Sequence, residues 1–204
     1  MKIHRRSDQQ VSEAHCKAAT GRSLTEWFEA MDAAGGIGLG RRELGRWLME
    51  MKVDPWWGAT LNCEYEIARG EREKDGHARG YTICATKSVK ADPARCYALF
   101  TQAVELDRWF GPGHQADLAD GGVWQNADGN RAVVKKLSPG KWLKVVWEAP
   151  ELTLPTPVEI KFPVSGAKTT ITITIDRLQT RAEADGYRRA WGEALERLKA
   201  LLEA

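Results

Sequence analysis

Three residues able to do chemistry stand close together: Arg108, His114 and Asp117 flank the turn Gly111-Pro112-Gly113. An arginine, a histidine and a carboxylate in that order offer an anion anchor, a base that titrates near neutrality and its orienting partner. The same spacing fits three solvated loop residues, and a histidine with no fixed partner does not make a general base. His77 lies in a charged, glycine-bearing stretch, and His4 and His15 fall in a polar start. The cysteines Cys16, Cys63, Cys84 and Cys96 are scattered, without a C-x-x-C pair, which argues against zinc and for reduced thiols. Cys84 and Cys96 read as small buried apolar groups. With no nucleophile elbow, phosphate-cradling glycine loop or metal triad, no cofactor or metal is expected.

Aromatic side chains form the second set of candidates. Trp109, Phe110, Trp124 and Trp147 fall on strands or next to a turn. Phe162 follows on a later strand, and Tyr187 and Trp191 stand on one face of the last helical stretch. Together they would line a pocket for a hydrophobic ligand or fill a core.

The elements that must position them change character along the chain. Ser23-Leu24-Thr25-Glu26 reads as a capping box, and Leu24, Trp27, Phe28 and Met31 follow at helical spacing. A second helix from Arg41 repeats the stripe with Leu44, Trp47, Leu48 and Met51, and Asp54-Pro55 opens a third. Residues 69–80, RGEREKDGHARG, mark a boundary.

Beyond it, residues 81–90 read as a strand, and Asp92-Pro93 opens a helical pair carrying Tyr97, Leu99, Phe100, Val104 and Leu106. Strand signals follow at 116–118, 123–126, 131–137 and 141–148. In 158–164, Val158, Ile160, Phe162 and Val164 alternate with charged neighbours, and in 168–176 Ile171, Ile173 and Ile175 alternate with threonines. The closing stretch 187–204 places Tyr187, Trp191, Ala194, Leu195, Leu198 and Leu202 on one face. An α+β fold buries these faces economically when a curved antiparallel sheet wraps around that last helix.

Composition limits the function classes. Apolar residues make up 43% and charged residues 28%, with a net charge of only +2, and the charges balance on both sides of Gly80. A charge-driven nucleic-acid or membrane-surface binder is therefore not expected. The basic cluster Arg41, Arg42 and Arg46 would suit a helix-turn-helix, but the third helix carries Glu64 and Glu66 where phosphates would lie. The basic start MKIHRRSDQQ leads into no apolar run, so neither a secretory signal nor a membrane span is expected, and a cytoplasmic location is.

Several pieces in order resemble the START-like, helix-grip superfamily (SRPBCC), in the branch named for activators of the heat-shock protein 90 ATPase. They are Ala91-Asp92-Pro93, Arg108-Trp109-Phe110-Gly111-Pro112, Asp120-Gly121-Gly122-Val123-Trp124, Asp128-Gly129, Trp147, and Trp191-Gly192-Glu193-Ala194-Leu195-Glu196-Arg197-Leu198. Asp117 and Leu118 depart from the more basic strand of that pattern. The run Trp56, Trp57, Tyr65, Glu66, Arg69 and Gly70 resembles a small helical domain of unknown function found before this fold in bacterial proteins. The resemblance implies a cavity between the closing helix and the sheet. It does not imply activation of a chaperone, since fold does not fix function.

The expected organisation is a frayed segment 1–19, a three-helix domain 20–70, a charged linker 71–80 and a helix-grip domain 81–204. The expected function is binding of a small apolar molecule by Trp109, Phe110, Trp124, Trp147, Phe162, Tyr187 and Trp191, with Arg108 and His114 at the mouth. The alternative is a chaperone-associated or other interaction module with a filled cavity, any protein partner meeting the front domain. A cyclase- or hydrolase-like enzyme is the third reading, and no constellation of residues supports it.

Overall fold

The computed structural model describes residues 1–203; Ala204, the last residue of the expected closing helix, lies outside the described residues. The chain divides into two compact units, one of Ser7–Tyr81 and one of Met1–Arg6 with Thr82 onwards.

The front unit contains α1 (Glu13–Thr20), α2 (Leu24–Ala33), α3 (Gly40–Glu50) and α4 (Pro55–Ala68), with a 3-10 turn at Gly36–Leu39. The expected capping box closes: the Ser23 hydroxyl accepts from the Glu26 N–H while the Glu26 carboxylate accepts from the Ser23 N–H. Asp54 caps α4 by accepting from the Trp56 and Trp57 N–H groups, and Pro55 at the first position gives up no needed donor. The unit holds one helix more than the three expected. Its cause is a short cap-to-cap signal: Ser12 accepts from the His15 N–H, and Gly21 ends α1 in the left-handed conformation.

Cys16 from α1 joins Trp27, Met31, Leu44, Leu48 and Leu61 in this unit's core. Burial pushes the Cys63 thiol up to about 12, which keeps it neutral and inert. Met51 does not continue the α3 stripe; it caps the helix and stays exposed. Nor do the arginines form an open basic face. Arg41 is bound to the Glu66 carboxylate, and Arg46 pairs with Glu43 at 2.7 Å.

The second unit is the expected helix-grip architecture: an eight-stranded curved sheet, two short helices and a long last helix. Its elements are β1 (Tyr81–Val89), α5 (Pro93–Thr101), α6 (Ala103–Asp107), β2 (Gln115–Ala116), β3 (Val123–Gln125), β4 (Arg131–Ser138), β5 (Trp142–Glu148), β6 (Thr156–Lys161), β7 (Val164–Ser165), β8 (Lys168–Leu178) and α7 (Arg181–Glu203). The strand order is β1-β8-β6-β5-β4-β3-β2, with β7 on β8. Register aligns the apolar rows: Leu143 opposes Ile160, which opposes Ile173, and Val145 opposes Val158, which opposes Ile175. All six are buried, as period-2 alternation requires.

Three apolar expectations fail here for local reasons. Pro163 ends the β6 run, so Val164 lies in a separate two-residue strand and is 60% exposed. Val104 falls on the outer side of the short α6 and is 77% exposed. Cys84 occupies an outward position of the alternating β1 and is exposed, not buried.

The start of the chain is not frayed. Met1 and Ile3 are buried at 4% exposure each, and residues 1–6 lie as a strap on the second unit. The Met1 ammonium donates to Asp128 Oδ2 at 2.7 Å, and Asn130 Nδ2 donates to the Met1 carbonyl at 2.8 Å. Gly111 makes the approach possible, because a Cβ there would stand 2.7 Å from the Met1 nitrogen. Further along, the His4 carbonyl lies directly on Gly186 of α7, where any side chain would collide with it. Arg5 then pairs with Glu183 and donates to the Glu151 carbonyl.

α7 begins six residues before the expected Tyr187. Thr180 and Glu183 form its capping box: the Thr180 hydroxyl accepts from the Glu183 N–H, and Glu183 accepts from the Thr180 N–H. Gly186, inside this helix, leaves the room that the strap occupies.

Candidate functional site

The closing helix meets the sheet through an aromatic cluster built from four elements. Helix α5 is set by Asp92, which accepts from the Arg95 N–H, and Pro93 at its first position. After α6 the chain turns so that the Trp109 indole donates to the Leu99 carbonyl at 2.9 Å. Arg197 of α7 donates to the Trp109 carbonyl at 2.9 Å, pinning the closing helix to this corner.

Phe110 is the hub. Its ring lies 5.2 Å from Trp109, 5.0 Å from Trp124, 5.7 Å from Trp147 and 5.2 Å from Trp191, edge-on or tilted in each case. Such geometry suits the ring quadrupoles and packs without stacking faces.

A cavity of about 20 Å³ remains at the centre, lined by Trp109, Phe110, Trp124, Trp147 and Trp191 among others. That is room for one water molecule. Its remaining walls are aliphatic or phenyl groups from α5, α6, the sheet and the β2–β3 connection, and no titratable side chain lines it. Phe100, Leu106 and Leu118 are lining residues that the sequence reading did not single out as site residues. Leu118 stands in the segment that departs from the family pattern, and period alone does not aim a residue there.

The other candidates lie elsewhere. Phe162 is buried but belongs to the neighbouring contacts with Phe100 at 5.4 Å and Tyr97 at 5.9 Å. Tyr187 is fully buried one turn before Trp191, and burial raises its hydroxyl pKa strongly. Arg108 is exposed and donates to Glu105 at 3.0 Å, and Asp117 is exposed and accepts from the Ala119 N–H. The three polar candidates around the turn therefore do not converge.

His114 departs most from a solvated loop residue. Its side chain is fully buried, tilted 4.9 Å from Trp124 and 5.7 Å from Phe110, just outside the cavity wall. Nδ1 lies 2.6 Å from Asp107 Oδ1, and Nε2 lies 3.3 Å from Asn126 Nδ2. The network assigns the proton to Nδ1, which donates to Asp107, and leaves Nε2 to accept from Asn126. Both ring nitrogens are thus committed, and the imidazole is no free base.

Burial holds the His114 pKa below its ordinary value; Asp107 and Asp128 oppose this, and the Met1 ammonium adds to it. The unfolded chain therefore takes up a proton that the fold refuses. Stability should fall as pH drops through about 6.5 towards the folded value. Urea midpoints at about pH 7.5 and about pH 5.5 test this, and His114→Asn should flatten the difference. Equal slopes in the variant and the unaltered protein would assign the effect to another group.

Among the described residues no three histidine, cysteine or acidic side chains gather as a metal site, and no helix is long and apolar enough to cross a membrane. No curated protein matches the chain. Solved structures do. CalU16 from Micromonospora echinospora matches at 16% identity and TM-score 0.54, over 59% of this chain and 75% of that one. PFC0360w, an HSP90 activator from Plasmodium falciparum, matches at 17% and 0.52, over 61% and 97%. Aha1 from Colwellia psychrerythraea, solved as a dimer, matches at 22% and 0.53, over 60% and 96%. At these identities the likeness is one of fold. The family described as activator of Hsp90 ATPase homolog 1-like protein matches residues 90–203, more than half of the sequence. On that match the chain belongs to the activator of Hsp90 ATPase homolog 1-like family.

Proposed function

We propose that the second unit binds a small, uncharged, largely apolar molecule between α7 and the sheet, in a cytoplasmic setting. The observation that carries this reading is the tryptophan-walled cavity, which contains no titratable group. Affinity would come from desolvating the ligand, and shape from the ring walls. A cavity of about 20 Å³ must open to admit anything larger than water. Rotation of Phe110 and of the indoles around it is the motion that would enlarge it.

The same small volume favours a second reading, in which the cluster is filled core and the protein works through its surface. The exposure of Met49 at 69%, Met51 at 43% and Leu39 at 41% supports a protein partner for the front unit under that reading. One relative of the fold is described as an HSP90 activator, which makes a chaperone one candidate partner.

Native mass spectrometry on the gently purified chain separates the two, followed by a titration with small neutral aromatics read by tryptophan emission. A retained compound, or saturable uptake of the added probes, is the expected result. A chain that stays bare and takes up no probe has a filled core, and the second reading replaces the first.

A further inference from the structure

The binding reading leaves the ligand's chemistry open, and the cavity wall narrows it. Trp147 Nε1, Trp191 Nε1 and the Tyr187 hydroxyl are all buried without a hydrogen-bond partner. They are neighbours: Tyr187 and Trp191 stand one turn apart on α7, and the Trp147 ring lies 5.7 Å from that of Trp191. The Trp147 N–H approaches the Tyr187 hydroxyl, but no bond of normal geometry closes between them. The residues are 3%, 1% and 0% exposed, so bulk water does not serve them.

Trp109 shows the contrast. It belongs to the same cluster, yet its indole N–H is given to the Leu99 carbonyl. A buried donor with no acceptor is costly, and buried polar groups are nearly always paired. Two of these groups, the Trp147 and Trp191 indoles, belong to residues that line the apolar cavity, and they describe a site that something else completes.

We infer that the ligand carries a neutral hydrogen-bond acceptor, a carbonyl or ether oxygen, set against the indole N–H groups of Trp147 and Trp191. The inference deepens the binding reading and rests on it. An indole N–H can only donate, so the ligand must accept. With no titratable side chain in the wall, a carboxylate or ammonium would enter unpaired, which excludes both. The ligand class is therefore an aromatic or alicyclic ketone, ester or ether rather than a fatty acid, an amine or a plain hydrocarbon.

Acetophenone and cumene form the test pair, since they share a ring and a branched substituent and differ by an oxygen in place of a methyl group. Cumene is the more hydrophobic, so raw affinities are not compared. The quantity measured is the ratio of the two dissociation constants, for the unaltered full chain and for Trp191→Phe and Trp147→Phe. Space opened by phenylalanine serves both probes alike and cancels in the ratio. The ratio should move by about tenfold towards cumene in Trp191→Phe, the scale of one lost hydrogen bond. In the unaltered protein, acetophenone but not cumene should shift the Trp191 indole N–H resonance downfield, a readout that stands even where a variant does not fold.

If both probes bind, the ratio is the same in all three proteins and the resonance is unmoved, the inference falls and the binding reading survives. A resident water then holds the indoles. If neither probe binds the folded protein, both fall together.

Discussion

Replacing Trp191 by alanine is expected to destabilise the protein by about 3–5 kcal/mol. The side chain is 1% exposed and touches Phe110 and Trp147 at once, so its removal opens space that rigid rings cannot refill. Trp191→Phe should be far milder. It deletes less volume, and because the indole N–H has no partner, it sacrifices no hydrogen bond. Urea unfolding of both variants decides the matter. A loss under about 0.5 kcal/mol for the alanine variant, the scale of an exposed residue, would mean that the sheet does not grip this helix.

The second large effect lies in the first turn of α7. Glu183 is 1% exposed, and its carboxylate accepts from the Thr153 N–H at 2.8 Å, the Gln179 N–H at 2.6 Å and the Thr180 N–H at 3.2 Å. It also holds the Thr153 hydroxyl and pairs with Arg5 of the strap. One side chain thus satisfies the start of the helix, the β5–β6 connection and the strap. Glu183→Ala leaves several donors without an acceptor and should cost about 3–5 kcal/mol, as for a broken buried charge pair. Glu183→Gln keeps an acceptor oxygen and should recover part of that. A loss near 1 kcal/mol in the alanine variant, the worth of a cap alone, would show that the hub adds nothing beyond capping.

Much of this was legible in the chain itself. Of the expected stripe, Tyr187, Trp191, Ala194, Leu195 and Leu198 are buried and Leu202, near the end of the helix, is half-buried, because helical spacing in a long amphipathic segment has one stable use. Alternation placed Leu143, Val145 and Trp147 on the core face for the same kind of reason. Five of the six lining aromatics were also named as site residues from the sequence, since they sit on those periodic elements or beside the turn that ends α6; Phe100 was read only as an apolar position of its helix.

What escaped has no period. His114 is buried by Asp107 and Asn126, partners seven and twelve residues away whose meeting depends on loop closure. Leu118 faces the cavity from an irregular stretch. The strap carries two apolar residues among basic ones, and nothing in six residues says that they dock. Gly186, on which the strap lies, falls just before the stretch read as the closing helix, so it did not point to a docked neighbour.

Because Met1–Arg6 belongs with the segment after Thr82, the front unit is an insertion in the chain's connectivity, not a prefix to it. Both of its ends are tethered, at Arg6 and at Thr82, so a protease cut within residues 70–80 leaves it attached through the strap. A truncated chain beginning at Tyr81 would lose more than helices: Asp128, Asn130 and Glu183 would each lose the partner that the strap supplies. Contacts between residues 1–5 and 128–186 also span most of the sequence. Such separation in sequence makes strap docking a late, slow-closing event in folding, after the sheet and α7 are in place.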